Sequence, residues 1–180
     1  FHIMKTGDAY WLYYSADGVL QSDTGFSEPK YIGRATGGSP AGHFTKHPEP
    51  LLAPSSDDPF RNQAAGSIKV LEEKWRGRWL AFSNGIYHDG EGRSRSAIGI
   101  LKSEDGLAWD KVCERPVVGP EGTAWKSAFV YAFDVKRVGN QLWMYYNARD
   151  GWKERTAPSA ALPGAPGTTS RPGVEPATGF

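Results

Sequence analysis

The feature that most limits what this chain can fold into is a motif that returns twice. Trp11-Leu12-Tyr13-Tyr14-Ser15-Ala16, Trp79-Leu80-Ala81-Phe82-Ser83-Asn84 and Trp143-Met144-Tyr145-Tyr146-Asn147-Ala148 follow one pattern. An apolar alternating run and a turn precede each: Ile3-Met4 before Gly7-Asp8, Ile68-Lys69-Val70 before Arg76-Gly77, and Phe133-Asp134-Val135 before Gly139-Asn140. β-Branched and aromatic residues alternating on both sides of a Gly, Asp or Asn turn specify a β-hairpin. A further strand follows in the first two repeats, Tyr31-Ile32-Gly33-Arg34-Ala35 and Ala97-Ile98-Gly99-Ile100-Leu101, with Ile-Gly pairs 66 residues apart (98 minus 32). Next come a polar turn, Phe44 or Trp109, and an apolar pair led by proline, Pro50-Leu51-Leu52 or Pro116-Val117-Val118. Such units of four strands, with almost no helical periodicity, predict an all-β fold: a β-propeller of four-stranded antiparallel blades, about three of them. A sandwich of unrelated strands would leave the register shared at three landmarks unexplained.

The blades fall at about residues 1–54, 55–120 and 121–155, the last incomplete. Residues 156–180 break the pattern: 20 of those 25 residues are Pro, Gly, Ala, Ser or Thr. Such a stretch buries too little apolar surface to fold, so a disordered tail of linker or out-of-frame sequence is expected there.

Charge and cysteine content narrow the function classes. Lys and Arg number 21 against 20 Asp and Glu, a net charge of +1, and no basic field marks a nucleic-acid or anionic-membrane partner. Cys113 stands alone, which excludes an internal disulfide and a cysteine zinc site. No apolar run approaches the ~18–20 residues of a membrane-spanning helix. The opening Phe1-His2-Ile3-Met4 carries no signal pattern and reads as the middle of a protein, so the compartment stays open. Seven Trp, eight Tyr and eight Phe supply flat surfaces that fill sheet faces and stack on ring-shaped ligands.

Several segments carry a family resemblance. Tyr131-Ala132-Phe133-Asp134-Val135 with Gly139-Asn140 and Leu142-Trp143-Met144-Tyr145-Tyr146 resembles the strand-turn-strand segment WAPDI…NG.YYLYYS of glycoside hydrolase family 43. Phe60-Arg61-Asn62 resembles the FRDP segment of the related invertase and levansucrase-type enzymes. Ile32-Gly33-Arg34-Ala35 with Ser39-Pro40-Ala41-Gly42-His43-Phe44-Thr45 is similar to their outer-strand pattern IGLA.S.SP.GPFT. The resemblance covers residues 1–155 and implies a five-bladed propeller that hydrolyses glycosidic bonds of furanosides and related sugars without a cofactor. It implies carboxylates drawn from several blades, so three blades would hold part of the set and give weak turnover alone. Exposed blade faces would favour self-association to complete the ring. The alternatives are a non-catalytic carbohydrate-binding propeller and a truncated product without function.

Glycoside hydrolysis takes two carboxyl groups, one protonated as acid and one ionised as base or nucleophile. In a propeller they belong at the openings of the innermost strands, where the channel mouth forms a pocket. Asp58 is the first candidate, as base or supporting carboxylate, with Arg61 as a planar donor for sugar hydroxyls; the other reading is an Asp-Pro turn closed by an ion pair. Asn62 stands where the resembled segment has Asp, and an amide binds sugar but cannot act as base. Glu121 precedes the third inner strand as an acid at the mouth or a solvated loop residue. Asp134, within that strand, needs partners or a polar cavity, and the resemblance points to a supporting role. Trp125 and Tyr131 are stacking platforms or blade packing, and His88 lies in a loop that either faces the mouth or is a solvated turn. Ser103-Glu104-Asp105-Gly106 predicts a structural Asp-box turn. His43 and His47 have i,i+4 spacing without a helix, so no metal site is expected.

Overall fold

The computed structural model describes residues 1–120, 124–150 and the strand 154–159. The first repeat forms β1 (His2–Thr6), β2 (Ala9–Ala16), a short inserted hairpin β3 (Val19–Gln21) and β4 (Phe26–Glu28), then β5 (Tyr31–Gly37) and β6 (Thr45–Lys46). The second forms β7 (Ala64–Val70), β8 (Trp79–His88), β9 (Ser94–Ser103) and β10 (Asp110–Lys111). A 3-10 turn (Ala124–Lys126) leads into the third: β11 (Phe129–Val138), β12 (Gln141–Arg149) and β13 (Glu154–Ser159). The sheets are ordered β1-β2-β5-β6, β7-β8-β9-β10 and β11-β12-β13, with every neighbour antiparallel. The chain is therefore all-β, three consecutive antiparallel blades of a propeller. β13 runs into the stretch whose composition suggests a tail, pairing Arg149 with Glu154 through Met144 with Ser159; residues 160–180 lie outside the described residues.

The 66-residue spacing holds down to individual hydrogen bonds. Ile32 bridges to Leu52 and Ile98 to Val118. The Ile32 amide donates to the Leu52 carbonyl at 3.0 Å and the Ile98 amide to the Val118 carbonyl at 2.8 Å. The Pro-led pairs thus serve as the outer edge of each blade. The hairpin turns also form where Gly/Asp/Asn chemistry places them, with Gly7, Gly77 and Gly139 at φ +60°, +80° and +60°.

Strand alternation divides the apolar residues between two cores. Trp79 and Ala81 of β8 face the first blade and pack with Met4, Tyr13, Ile32, Ile68 and Val70. Phe82 of the same strand faces the third blade and packs with Val130, Phe133, Val135, Met144 and Tyr146. A sheet used on both faces is buried nearly throughout, as β8 is. Ile32 and Phe82 are fully buried, each contributing about 1.5–3 kcal/mol of transfer free energy. On the far face of the third blade, Trp143 and Tyr145 remain exposed.

Polar seams join the blades at the inner strands. Each of β7 and β11 is interrupted by a bulge, between Ala64 and Ser67 and between Tyr131 and Asp134. The left-handed residues inside them, Gly66 at φ +63° and Ala132 at +44°, are 66 positions apart (132 minus 66). A bulge leaves backbone groups without a partner in their own ladder, and the preceding blade supplies partners. The Lys30 and Pro29 carbonyls accept from the Ala65 and Gly66 amides at 3.0 and 2.9 Å, and Ser15 Oγ donates to the Gly66 carbonyl at 2.8 Å. One blade on, Asn84 Nδ2 and Ser96 Oγ each donate to the Val130 carbonyl at 2.7 Å, and the Val130 amide donates to Ser96 Oγ at 3.0 Å. The Asp-box turn forms as expected: Asp105 Oδ1 accepts from the Leu107 and Ala108 amides at 2.8 and 3.1 Å. Arg34 of the first blade grips it, donating to the Asp105 carbonyl at 3.1 Å while lying 4.4 Å over the Trp11 ring. Tyr13, buried beneath, donates to the Gly106 carbonyl at 3.1 Å, and its burial pushes the phenol up to about 12.

The seam predicts a contrast between two glycines. A Cβ at Gly66 would lie 2.3 Å from the Asn84 carbonyl oxygen, whereas one at Gly7 meets nothing within 4 Å. Both have positive φ, so Gly7→Ala is expected to cost about 1 kcal/mol of strain and Gly66→Ala roughly 3 kcal/mol or more, read from urea unfolding midpoints. Equal costs would mean that the seam at Gly66 yields without resistance.

Candidate active site

One end of the three sheets gathers the openings of β7 and β11, the ends of β2, β8 and β12, and the starts of β5, β9 and β13, as the pairs Ala16–Tyr31, His88–Ser94 and Phe129–Arg149 show. This end, where the inner strands open, is the mouth end of the blades. In the second blade β8 passes to β9 through residues 89–93 alone, where Asp89 accepts from the Glu91 and Arg93 amides at 2.9 and 3.0 Å. In the first blade the same connection runs through residues 17–30 and forms the hairpin β3–β4. The extra length builds something over the mouth that the blade itself does not require.

The hairpin is held to the second blade by its turn. Gln21 and Ser94 are buried, and Ser94 Oγ lies 3.0 Å from Gln21 Oε1 and 2.5 Å from Asp23 Oδ1. The Ser94 amide donates to Asp23 Oδ2 at 2.7 Å, and His88 Nε2 stands 3.1 Å from Gln21 Oε1. Burial pushes the Asp23 carboxyl up, but the hydroxyl and amide of Ser94 outweigh it and keep the group on the low side. Asp23 is thus held ionised.

The second strand of the hairpin reaches the third blade. The Arg149 guanidinium lies 4.2 Å from the Phe26 ring centroid, 4.8 Å from Phe129 and 5.3 Å from Tyr131. Arg149 Nε is buried without a hydrogen-bond partner among the described residues. Glu28, two residues beyond Phe26 on the same strand, shares this environment. Burial raises its carboxyl above the ordinary glutamate value, with the Arg149 charge pulling the other way. A single hairpin therefore carries one carboxyl held ionised and one biased toward its protonated form, across a mouth lined by three aromatic rings. Two carboxyls whose surroundings push them apart in this way are the prerequisite for paired acid and base roles.

The residues singled out from the sequence separate into several groups. Asn62 and His88 meet: Asn62 Oδ1 accepts from the His88 amide at 2.9 Å and its Nδ2 donates to the His88 carbonyl at 3.4 Å. Both ends of the Asn62 amide are thereby engaged with backbone at the mouth. Asp58 and Arg61 pair with each other at 3.4 Å, in the connector that crosses from the first blade to the second over the face of β8 and β9. Asp134 sits half exposed on the third inner strand, 3.9 Å from Lys69 of the second and 3.7 Å from Lys136. Trp125 stacks on Tyr146 with centroids 6.0 Å apart, and Tyr131 stands beside Arg149. Glu121 lies outside the described residues. No hydrogen bond or ion pair found among the described residues joins Asp58 or Asp134 to the hairpin. Among those residues, too, no group of three or more His, Cys, Asp or Glu is placed to hold a metal ion.

Glu28, Asp23 and Arg149 escaped the repeat-based reading because they lie in the non-repeating insertion and at the end of the third repeat. The available signal was length: fourteen residues (17–30) in the first blade against five (89–93) in the second, with Val19-Leu20-Gln21 and Phe26-Ser27-Glu28 flanking Thr24-Gly25 as a hairpin would.

No family model and no curated protein matches the chain. Solved structures do. The structure of BT0996 in an RGII complex superposes with a TM-score of 0.67 at 17% identity, over 88% of this chain and 51% of that one. The catalytic domain of the Coprinopsis cinerea GH62 α-L-arabinofuranosidase gives a TM-score of 0.56 at 14% identity, covering 84% and 47%. An N-acetylgalactosamine deacetylase from F. plautii, solved with blood group B trisaccharide, gives 0.56 at 15%, covering 82% and 39%. At these identities the likeness is one of fold, that of propellers found in glycoside hydrolases, and the chain spans about half the length of BT0996.

The raised carboxyl carries a stability signature. A folded state that holds its proton more tightly than the unfolded chain is favoured below the ordinary glutamate value of 4.5 and loses that advantage as pH rises through the folded value. Glu28→Gln is therefore expected to gain stability relative to the parent as pH is raised from 4 toward 7, and to match it most closely at the acidic end. Denaturant unfolding of both proteins across that range checks this; a difference independent of pH would mean that Glu28 titrates as in water.

Proposed function

We propose that the chain provides the substrate-binding mouth of a glycosidase-type propeller and that Glu28 is its proton donor. The observation that carries the proposal is the hairpin β3–β4, which spans from the second blade to the third and sets Glu28 within the field of Arg149, whose guanidinium lies against Phe26, Phe129 and Tyr131. Aromatic faces suit the apolar faces of sugar rings, and a guanidinium suits their hydroxyls. A partly buried carboxylic acid that holds its proton above the ordinary glutamate range is suited to the proton donation that cleavage of a glycosidic bond needs on the leaving-group side. In this proposal Asp23, ionised on the same hairpin, supports the developing positive charge of the sugar, and Asn62 and His88 shape the wall between them. Furanosides are the proposed substrate class, consistent with the resemblance in sequence and with the arabinofuranosidase among the structures of like fold.

The test separates proton donation from binding. An acid is needed most when the leaving group is poor, so Glu28→Gln should lower hydrolysis of a 4-nitrophenyl arabinofuranoside about 10²–10⁴-fold. The same variant should retain most of the parental rate on the 2,4-dinitrophenyl glycoside, whose leaving group departs without help. Equal losses on both substrates, or none on either, would remove Glu28 from the role.

A non-catalytic carbohydrate-binding propeller is the second reading, and one observation favours it. Where the resembled segment carries Asp, Asn62 has its amide committed to the His88 backbone. Saturable binding of arabino-oligosaccharides, with no turnover of either aryl glycoside by the parent, would establish this reading over the first.

A further inference from the structure

A mainly apolar recess carrying a few charged and hydroxyl groups lies on the face of the second blade covered by the connector from the first. It is a small open cleft of about 40 Å³ between the Asp58–Arg61 turn and the segment that follows β10. Ser83 of β8 and Gly99 of β9 line its floor, and the Phe60 carbonyl of the connector closes over Gly85. A Cβ added at Gly99 would meet nothing within 4 Å.

Two polar atoms in this cleft are buried without a partner among the described residues: Ser83 Oγ and Arg61 Nε. Ser83 is only 7% exposed. A buried polar group left unsatisfied costs roughly 1–3 kcal/mol, and two in one recess are unusual enough to require a reason. Arg61 Nε can only donate, and a serine hydroxyl can donate as well, so an acceptor satisfies both. The charges around them favour an anion. Arg61, Lys111 and Arg115 line the cleft against Asp58 and Glu114. Asp58 is paired with Arg61 at 3.4 Å and Glu114 with Lys111 at 2.7 Å, which leaves the Arg115 charge in excess.

We propose that this cleft is a binding site for a small oxyanion, a carboxylate or phosphate group that accepts hydrogen bonds from Arg61 Nε and Ser83 Oγ beside the open surface of Gly99. Arg61 is the anchoring donor, since a guanidinium engaged by Asp58 on one side still presents its remaining N–H groups in a fixed plane. Lys111 and Arg115 add attraction at the rim. The site is separate from the mouth, and its existence does not depend on the glycosidase reading.

Calorimetric titration and thermal unfolding with inorganic phosphate, glucuronate and glucose test the proposal. Phosphate or glucuronate should bind saturably and raise the melting temperature, and glucose should do neither. Tighter binding of glucuronate would identify an acidic sugar as the source of the oxyanion, and tighter phosphate binding a phosphorylated or inorganic one. Ser83→Ala, which removes an unsatisfied hydroxyl, should leave the free protein as stable or more so while weakening the anion about tenfold. Gly99→Leu, with room for its side chain in the cleft, should abolish binding. Unchanged affinity in Ser83→Ala and Gly99→Leu, or a response to glucose equal to that for the anions, would overturn the proposal.

Discussion

Everything in this chain hangs on how one blade satisfies the inner strand of the next. An innermost strand has a ladder partner on one side only, and at the bulges even that ladder is broken. The amide and carbonyl groups freed at Gly66 and Val130 lie in buried surroundings, where leaving them unpaired would cost as much as a core truncation. Ser15 with the Pro29 and Lys30 carbonyls meets the first need, and Asn84 with Ser96 meets the second. These bonds fix the rotation of one blade against another more sharply than apolar packing can, because apolar contacts tolerate sliding and short hydrogen bonds do not.

The same seams explain why the mouth is well defined. A bulge turns a strand and re-aims the side chains next to it. In β11 it separates Tyr131, which lies beside Arg149, from Asp134, which lies beside Lys69. Paired without the bulge, strict two-residue alternation would carry Tyr131 and Phe133 to one face, and the aromatic lining around Arg149 would lose a member. The left-handed Ala132 is the conformational cost of that arrangement, sustained by Asn84 and Ser96 gripping Val130 two positions earlier.

Much of the fold was legible because repetition converts weak local signals into a strong joint one. No single Trp-led apolar segment specifies a propeller, but Trp11, Trp79 and Trp143 with Ile32 and Ile98 in register do, and the Ile32–Leu52 and Ile98–Val118 bridges are the physical form of that register. The Asp-box turn was legible for a different reason, since Ser103, Asp105 and Gly106 satisfy their own backbone locally. The mouth was not legible to the same degree. Glu28 and Arg149 are 121 positions apart (149 minus 28) and come together only because a hairpin of one blade crosses to another. Asp58 and Arg61 were visible as a motif, but their neighbours Ser83, Gly85 and Gly99 are strand residues whose shared face follows from the blade geometry.

The division between repeating and non-repeating residues bears on where function can reside. Positions that recur from blade to blade are occupied by groups the blades need: the hairpin turns, the seam donors and, in the first two blades, the outer Pro-led edge. A side chain that closes a seam or fills a core there cannot easily be given over to a ligand, whereas Ser83, whose hydroxyl has no partner among the described residues, is under no such obligation. The segment 17–30 is free of that obligation. It keeps the ends of β2 and β5 together, as five residues do in the second blade, and uses the rest of its length to carry Asp23 and Glu28 to opposite neighbours. The hairpin's position is itself fixed by buried polar contacts, with Gln21 and Ser94 both inaccessible to solvent, so the two carboxyls are held on a rigid support. A loop that costs this much order and contributes nothing to the ladder is where specificity and chemistry can vary while the propeller beneath it stays the same.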